Sequence, residues 1–411
     1  MTMVVWPQRA NVDVGVTSGV SGRSMDVKRA KTVRVVMAGG GTGGHLYPGL
    51  AVAEALRARV AGMNGELELV WAATPRSVDQ RLLSKFGERY IQQPVQPLVK
   101  SLKKAMSFLK AWRQTCAYWS RRFSMEQVDC VVALGGYAAG PAAYVAWKRG
   151  IPVVLLNPDA LPGLANRFLL KRSTTVVTQW PLGARYRKML KATVKPLGCP
   201  IRAELVEDTP TRDEAAAKFQ LDPNKKTLVV TGASLGAKTI NEAMLVLLND
   251  AETRQAFESS WQILHLAGLE QAAAVKAAYA AYPHVTATVV DYCDDMASVW
   301  ALADVAIARA GASTCAELTA CGVPSVLLPY PFHKDMHQRA NALELVRAGA
   351  AIIVEDEKDA ARNATAIKTV LHSLLYDDTL RDRMADAAVL SGKPHAADEI
   401  AKEILALAGQ S

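Results

Sequence analysis

Short apolar runs recur along this chain, each followed by a stretch long enough for a helix. Candidate strands are Thr32–Met37, Leu67–Ala72, Cys130–Leu134, Pro152–Leu156, Thr175–Thr178 and Val194–Leu197. Between them the apolar positions follow a helical period, most plainly from Leu46 to Val60. A polar stretch, Ala203 to Lys226, interrupts the series, and the alternation then restarts. Its second set of runs is Thr227–Thr231, Gln262–Leu266, Val285–Val290, Val305–Ala308, Ser325–Pro329 and Ala351–Val354. Helical periods cover about Lys238 to Leu248, and Asp377 to Ala408. Near-continuous apolar strands separated by helices mark parallel sheets covered on both faces. The pattern predicts an α/β protein of two doubly wound domains with a ligand cleft between them. The expected division is 31–198 for the first domain and 199–391 for the second, two domains being the natural count for 411 residues. Residues 1–30 show neither period and read as a disordered leader.

Composition narrows the class. Half of the residues are hydrophobic and 21% are charged, so both halves can bury a core. No apolar run reaches the roughly 18 residues of a membrane span, and the opening residues do not form a signal peptide. Cys116, Cys130, Cys199, Cys293, Cys315 and Cys321 form no CxxC pair and have no matching histidine spacing. They read as buried, reduced thiols, not a disulfide or zinc framework. The net charge of +9 admits anionic partners. From Leu98 to Arg122 the basic residues Lys100, Lys103, Lys104, Lys110, Arg113, Arg121 and Arg122 occur without an acid. Leu102, Met106, Leu109, Trp112 and Trp119 interleave with them. This basic amphipathic stretch suits an anionic membrane surface, against the plainer reading of a solvated helix with one core face. No nucleic-acid partner is expected.

The chemistry gathers at glycine turns. Val35 to Ala38 runs into Gly39-Gly40-Gly41-Thr42-Gly43-Gly44-His45, a strand, tight turn and helix start where an anionic or polar ligand fits. Gly39, Gly41 and Gly44 satisfy G-x-G-x-x-G, but the next strand ends Trp71-Ala72-Ala73-Thr74 without the acid that a dinucleotide ribose needs. A second turn is Gly135-Gly136-Tyr137 with Gly140-Pro141. A third, Gly232 to Gly236, contains Ser234, which reads either as a phosphate contact or as a helix cap. The fourth cluster, Ala308 to Glu317, places a carboxylate in the first turns of a helix. It complements the helix dipole or accepts two ribose hydroxyls. Next comes the polar loop Pro329 to Gln338.

Taken in order, these segments resemble the MurG family, the UDP-N-acetylglucosamine:undecaprenyl-pyrophosphoryl-muramoyl-pentapeptide N-acetylglucosaminyltransferases of peptidoglycan synthesis. The resemblance rests on Gly40-Gly41-Thr42-Gly43-Gly44-His45 with Tyr47-Pro48, Gly135-Gly136-Tyr137, and Gly198-x-Pro200-x-Arg202. It continues through Gly232-x-Ser234-x-Gly236, Asp294-Asp295-Met296, Gly311-Ala312-Ser313-Thr314-Cys315-Ala316-Glu317, and His337-Gln338 with Asn341-Ala342. It implies a GT-B fold, two Rossmann-like domains facing a cleft, with a last helix of about residues 392–411 crossing back to the first domain. By the same resemblance Cys293 meets the uracil, Tyr292 stacks on it and Glu317 holds the ribose. Ser234 and Arg202 hold the diphosphate, Gln338 holds the sugar, and Thr42, Gly43 and Gly44 close over it. Met296, Ala312, Ser313, Thr314, Cys315 and Ala316 complete the expected donor contacts. One departure stands out. Where the family carries His-Glu-Gln-Asn, this chain has Leu156-Asn157-Pro158-Asp159, and Cys199 replaces a family asparagine.

The implied reaction is an inverting transfer of N-acetylglucosamine from UDP-GlcNAc to an undecaprenyl-linked acceptor, by a peripheral protein at the cytoplasmic face of the cell membrane. His45 is the candidate base, with Asp159 its rival. No cofactor is implied, and Asp294-Asp295 reads as shaping a loop, not as a metal pair. A related lipid glycosyltransferase, a UDP-sugar epimerase or a non-catalytic sugar-nucleotide sensor shares the glycine loops. An epimerase is told apart by its free sugar product.

Overall fold

The computed structural model describes residues 32–97, 102–232, 236–332 and 335–409, without the side chains of 102–104. The expected leader, Lys100 and Ser234 therefore lie outside the described residues, as do the side chains of Leu102, Lys103 and Lys104.

The first half alternates strands β1 (Thr32–Gly39), β2 (Glu66–Ala73), β3 (Tyr90–Gln92), β4 (Cys130–Gly135), β5 (Val153–Asn157), β6 (Thr175–Thr178) and β7 (Thr193–Lys195) with helices. Those helices are α1 (Gly43–Gly62), α2 (Ser77–Lys85), α3 (Leu102–Met125), α4 (Gly136–Lys148), α5 (Leu164–Leu170) and α6 (Ala184–Arg187). The second half contains β8 (Lys226–Thr231), β9 (Trp261–Leu266), β10 (Ala287–Val290), β11 (Ala303–Ala308), β12 (Ser325–Leu327) and β13 (Ala351–Ile353). Helices α7 (Arg212–Phe219), α8 (Lys238–Leu247), α9 (Ala251–Ser259), α10 (Ala272–Tyr279) and α11 (Met296–Leu302) flank it on the way. Then follow α12 (Ala312–Ala320), α13 (His337–Ala348), α14 (Ala360–Tyr376), α15 (Asp378–Ser391) and α16 (Ala396–Leu407).

The strand orders are β3-β2-β1-β4-β5-β6-β7 and β10-β9-β8-β11-β12-β13, with parallel pairing. Each order reverses direction once, between β1 and β4 and between β8 and β11. All four glycine turns follow these central strands. At such a switch point the helices leave to opposite faces and open a crevice at the strand ends, where ligands bind. Each sheet is covered on both faces: Val35, Met37 and Val132 point to one core, and Val36, Ala38 and Val131 to the other. The second sheet repeats this, with Val229 and Ala306 against Val230 and Ile307.

Three elements differ from expectation. β3 went unseen because its three residues, Tyr90-Ile91-Gln92, include a single aliphatic one. The helical period from Asp377 is two helices, broken at Gly392 to His395, and the second starts where the resemblance placed the last helix. The second of these, α16, leaves its own half: Ile400, Ala401, Ile404 and Leu405 join the core of the first sheet beside Leu56 and Val60. Arg59 grips Asp398 through two bonds of 2.6 Å. On α3, Trp119 is fully buried and its indole donates to Gln93 Oε1 at 2.9 Å. Arg122 is buried too, 2.9 Å from Glu126. Neither belongs to a lipid-facing stripe, because the helical period turns both toward the sheet. Met106, Leu109, Lys110, Arg113 and Arg121 are exposed. All six cysteines are free, and Cys116, Cys293 and Cys321 are only partly buried. No helix among the described residues is long and apolar enough to cross a membrane.

Candidate active site

The β1–α1 turn forms one wall of the cleft. A Cβ on Gly40 would lie 2.2 Å from Asp79 Oδ2, so no side chain fits there. The closeness has a purpose. The buried Asp79 carboxylate accepts from Gly41 N at 2.7 Å and from Thr74 N and Thr74 Oγ1 at 2.8 Å each. A glycine turn at a helix start invites an anion, and here the protein supplies its own. The Gly41 N–H is therefore taken within the protein, while Thr42, Gly43 and Gly44 still face the cavity. The dinucleotide reading thereby fails on a second count.

His45 stands on the first turn of α1, half-buried. The β4–α4 turn packs against its ring: Gly136 has φ +71°, and a Cβ there would lie 3.1 Å from His45 Cε1. His45 Nδ1 is 3.3 Å from Gly40 O and 3.2 Å from Thr42 Oγ1. A carbonyl only accepts, so Nδ1 carries the proton and Nε2 keeps its lone pair. Burial holds the imidazole below its ordinary value, with Asp159, the Gly40 carbonyl and Asp79 opposing. The ring is a neutral base of fixed tautomer at neutral pH.

The opposite wall is α12. Glu317 Oε2 accepts from Trp300 Nε1 at 2.9 Å. Burial raises the Glu317 carboxyl above its ordinary value, against the pull of Trp300 and Arg202. Ser313 Oγ is buried beside the Cys199 thiol. Cys315 and Ala316, expected among the contacts, pack into the core beneath instead. The helical period turns 313, 314 and 317 to the cleft and 315 and 316 to the sheet. Arg309, from the same motif, is buried in an ion pair with Asp356 at 2.7 Å.

Between the walls lies a cavity of about 490 Å³, a volume that suits a small polar ligand. Thr42, Gly43, Gly44 and His45 line it from the first half. Arg202, Tyr292, Cys293, Met296, Ala312, Ser313, Thr314, Glu317 and Gln338 line it from the second. The Cys293 thiol, raised by burial, donates to Asp295 O at 3.3 Å. Gln338 Oε1 accepts from Tyr330 N at 2.9 Å. Arg202 pairs with Glu204 at 2.8 Å and donates to Asp294 O.

Two bridges cross the cleft. At one, the Tyr47 and Tyr292 hydroxyls bond each other, and each also lies within hydrogen-bond distance of Asp294 Oδ1, at 3.1 and 3.0 Å. Lys85 pairs with the same carboxylate, and Arg81 lies 5.8 Å over the Tyr292 ring. Asp295 caps α11 through Ser298 N at 3.0 Å. At the other, Asn341 Nδ2 donates to Asp159 Oδ1 and Ala160 N donates to Asn341 Oδ1, each at 2.9 Å. Sequence reasoning missed Asp79 and Trp300. Asp79 reads as an ordinary first-turn acid of α2, and Trp300 as a core aromatic. No local signal points to partners 38 and 17 residues away.

Comparison with known proteins follows this geometry. The glycosyltransferase family 28 N-terminal domain matches residues 35–178, and the family 28 C-terminal domain matches residues 227–400. A UDP-N-acetylglucosamine–N-acetylmuramyl-(pentapeptide) pyrophosphoryl-undecaprenol N-acetylglucosamine transferase of Thermodesulfovibrio yellowstonii is 32% identical over 90% of this chain and 97% of its own. The same enzyme of Sorangium cellulosum is 36% identical over 92% of this chain and 89% of its own. The crystal structure of Acinetobacter baumannii MurG superposes with a TM-score of 0.68 at 28% identity, covering 92% of this chain and 99% of that one. A UDP co-structure of S. aureus MnaA reaches 0.63 at 14% identity, over 93% and 98% of the two chains, a likeness of fold alone. Two doubly wound halves, a cleft at both switch points, and relatives matched nearly end to end agree: the fold is GT-B, and the chain belongs to the MurG family of N-acetylglucosaminyltransferases.

Proposed function

We propose that the wall built from residues 199–391 holds the nucleotide sugar. In this reading residues 31–198, with the helix of about 392–411, receive the lipid acceptor. The enzyme is a hexosyltransferase of peptidoglycan synthesis. It moves N-acetylglucosamine from UDP-GlcNAc to the 4-hydroxyl of undecaprenyl-pyrophosphoryl-MurNAc-pentapeptide, lipid I, giving lipid II. His45 Nε2 takes the hydroxyl proton as the acceptor oxygen bonds to C1 of the sugar. The bond from C1 to the β-phosphate oxygen breaks, and UDP leaves with the electron pair. One in-line displacement inverts the anomeric centre. Arg202 and the α12 start, with Ser313 and Thr314, stabilise the charge growing on the diphosphate. Ser234, outside the described residues, joins them by resemblance. Glu317 accepts the ribose hydroxyls, Tyr292, Cys293 and Met296 frame the uracil, and Gln338 reads the sugar. Ala312 offers backbone at the helix start, and Thr42, Gly43 and Gly44 cover the sugar.

The outer face of the first half completes the reading. Met106, Leu109, Trp147 and Leu164 are exposed there, with Lys110 and Arg113 beside them. This surface suits peripheral contact with an anionic membrane at the cytoplasmic face, where a lipid-linked acceptor resides.

The observation that carries the proposal is His45, its Nδ1 held at Gly40 O, on the same cavity as Glu317 and Arg202. The test is incubation with UDP-GlcNAc and a lipid I analogue. Equimolar UDP and a lipid-linked disaccharide are expected. Free sugar, or UDP without disaccharide, overturns it.

A further inference from the structure

The β5–α5 loop is where this chain leaves its family's pattern, with Leu156-Asn157-Pro158-Asp159 in place of His-Glu-Gln-Asn. Carboxylate and amide have exchanged places along the loop. Asn157 is buried and braces the turn: its Nδ2 donates to Asp159 O at 2.8 Å, and its Oδ1 accepts from Asn166 Nδ2 at 2.9 Å. Asp159 Oδ1 accepts from Asn341, which is fully buried and also donates to Ala310 O at 3.0 Å. One oxygen of Asp159 is thus clamped across the cleft. An asparagine at 159 would keep that bond through its own Oδ1 and present an NH₂ donor with its other end. Aspartate presents a second oxygen that only accepts and shares a negative charge. Asp159 and His45 line the same cavity.

Other charged or titratable groups stand near this turn or on the same cavity. From the α2 side, Asp79 is bonded to Gly41 and Thr74, and Arg76 donates to Gly41 O at 2.9 Å. From α4, the Tyr137 hydroxyl lies beside Gly41. From the second half, Arg202 pairs with Glu204, and Glu317 takes the Trp300 N–H. Among the charges that favour a protonated His45, that of Asp159 is the largest influence.

We infer that Asp159 is a positioning residue of the transfer: its free carboxylate oxygen, fixed by the Asn341 clamp, stabilises the imidazolium that forms on His45 as the acceptor hydroxyl loses its proton. Asp159 itself takes no proton. The inference rests on His45 being the base, and the experiment separates the two.

The pH dependence of kcat and kcat/KM is measured for wild type, Asp159→Asn, Asp159→Ala and His45→Ala with UDP-GlcNAc and a lipid I analogue. Asp159→Asn retains the clamp and the wild-type UDP affinity by calorimetry. Removing a negative charge makes the imidazolium less stable, so the acid limb of kcat/KM moves down by about one pH unit. The plateau kcat falls about tenfold. Asp159→Ala shows the same shift with a further loss from the broken clamp. An Asn variant with the wild-type limb and plateau reduces Asp159 to a clamp and overturns the inference. A His45→Ala enzyme of undiminished kcat overturns the base assignment instead.

Discussion

At the turn between β1 and α1, the Asp79 carboxylate holds the Gly41 N–H, and His45 is fixed above it by Gly40 O. At the matching turn between β11 and α12, Arg309 is paired with Asp356, but no carboxylate accepts a backbone N–H of the turn among the described residues. Both turns follow a central strand at a switch point and open a helix, so backbone geometry alone does not separate them. What separates them is whether the protein fills the anion position itself. Filled, the turn is a rigid mount for His45. Left open, it is the corner where the proposed reading seats the donor diphosphate. Two symmetric corners thus serve an asymmetric reaction.

The largest expected effect breaks the filled corner. His45→Ala lowers kcat by about 10²–10⁴-fold, the ordinary contribution of a general base, with donor KM little changed. Steady-state kinetics at saturating substrates checks this, and an unchanged kcat reassigns the base. Next comes the open corner. Glu317→Ala folds normally and loses UDP affinity by about 10–100-fold, as for hydrogen bonds to a charged group. It also discriminates less between UDP and 2′-deoxy-UDP in titration calorimetry. Because burial raises the Glu317 carboxyl, its ionised form is lost as pH falls through a value above the ordinary 4.5. Wild-type UDP affinity therefore weakens on acidification earlier than for an exposed glutamate, and Glu317→Gln removes that limb.

The proposed membrane face belongs to the first half. Replacing Lys110 and Arg113 by glutamine weakens binding to anionic vesicles by about tenfold or more, at roughly 1 kcal/mol per basic residue. Sedimentation at low and high salt measures it, and wild-type behaviour moves the contact elsewhere. The smallest effect on chemistry is at Asp79. Asp79→Asn leaves buried donors at Gly41 and Thr74 poorly paired and costs about 1–3 kcal/mol of stability, read as a lowered midpoint in denaturant. Unchanged stability would mean that the corner does not need its internal anion.

Much of this was legible in the residues, for a physical reason. Strands buried on both faces are continuous apolar runs, and glycine turns at their ends cannot be mistaken for plain loops. What stayed hidden depends on distance or on phase. Tyr90–Gln92 is too short to show a period. Gly392, where a Cβ would lie 2.7 Å from Thr319 O, ends a helix both for what it packs against and because Pro394 follows. Cys315 and Ala316 were drawn in by belonging to a motif, whereas helical phase admits only some of its members to the cleft. Trp119 was misread in the same way on α3. Asp79, Trp300 and the Asp159–Asn341 clamp are meetings between elements that only the folded chain brings together.

The return of α16 has a bearing on how the protein is made. Ile400, Ala401, Ile404 and Leu405 close a core whose other walls, among them Leu56 and Val60, are synthesised some 340 residues earlier, the separation of Arg59 from Asp398. On the ribosome, the first sheet emerges with that groove uncovered and stays so while the entire second half is translated. At about 5–20 residues per second, that interval lasts on the order of tens of seconds. The N-terminal half, though first in the chain, is the last to be finished.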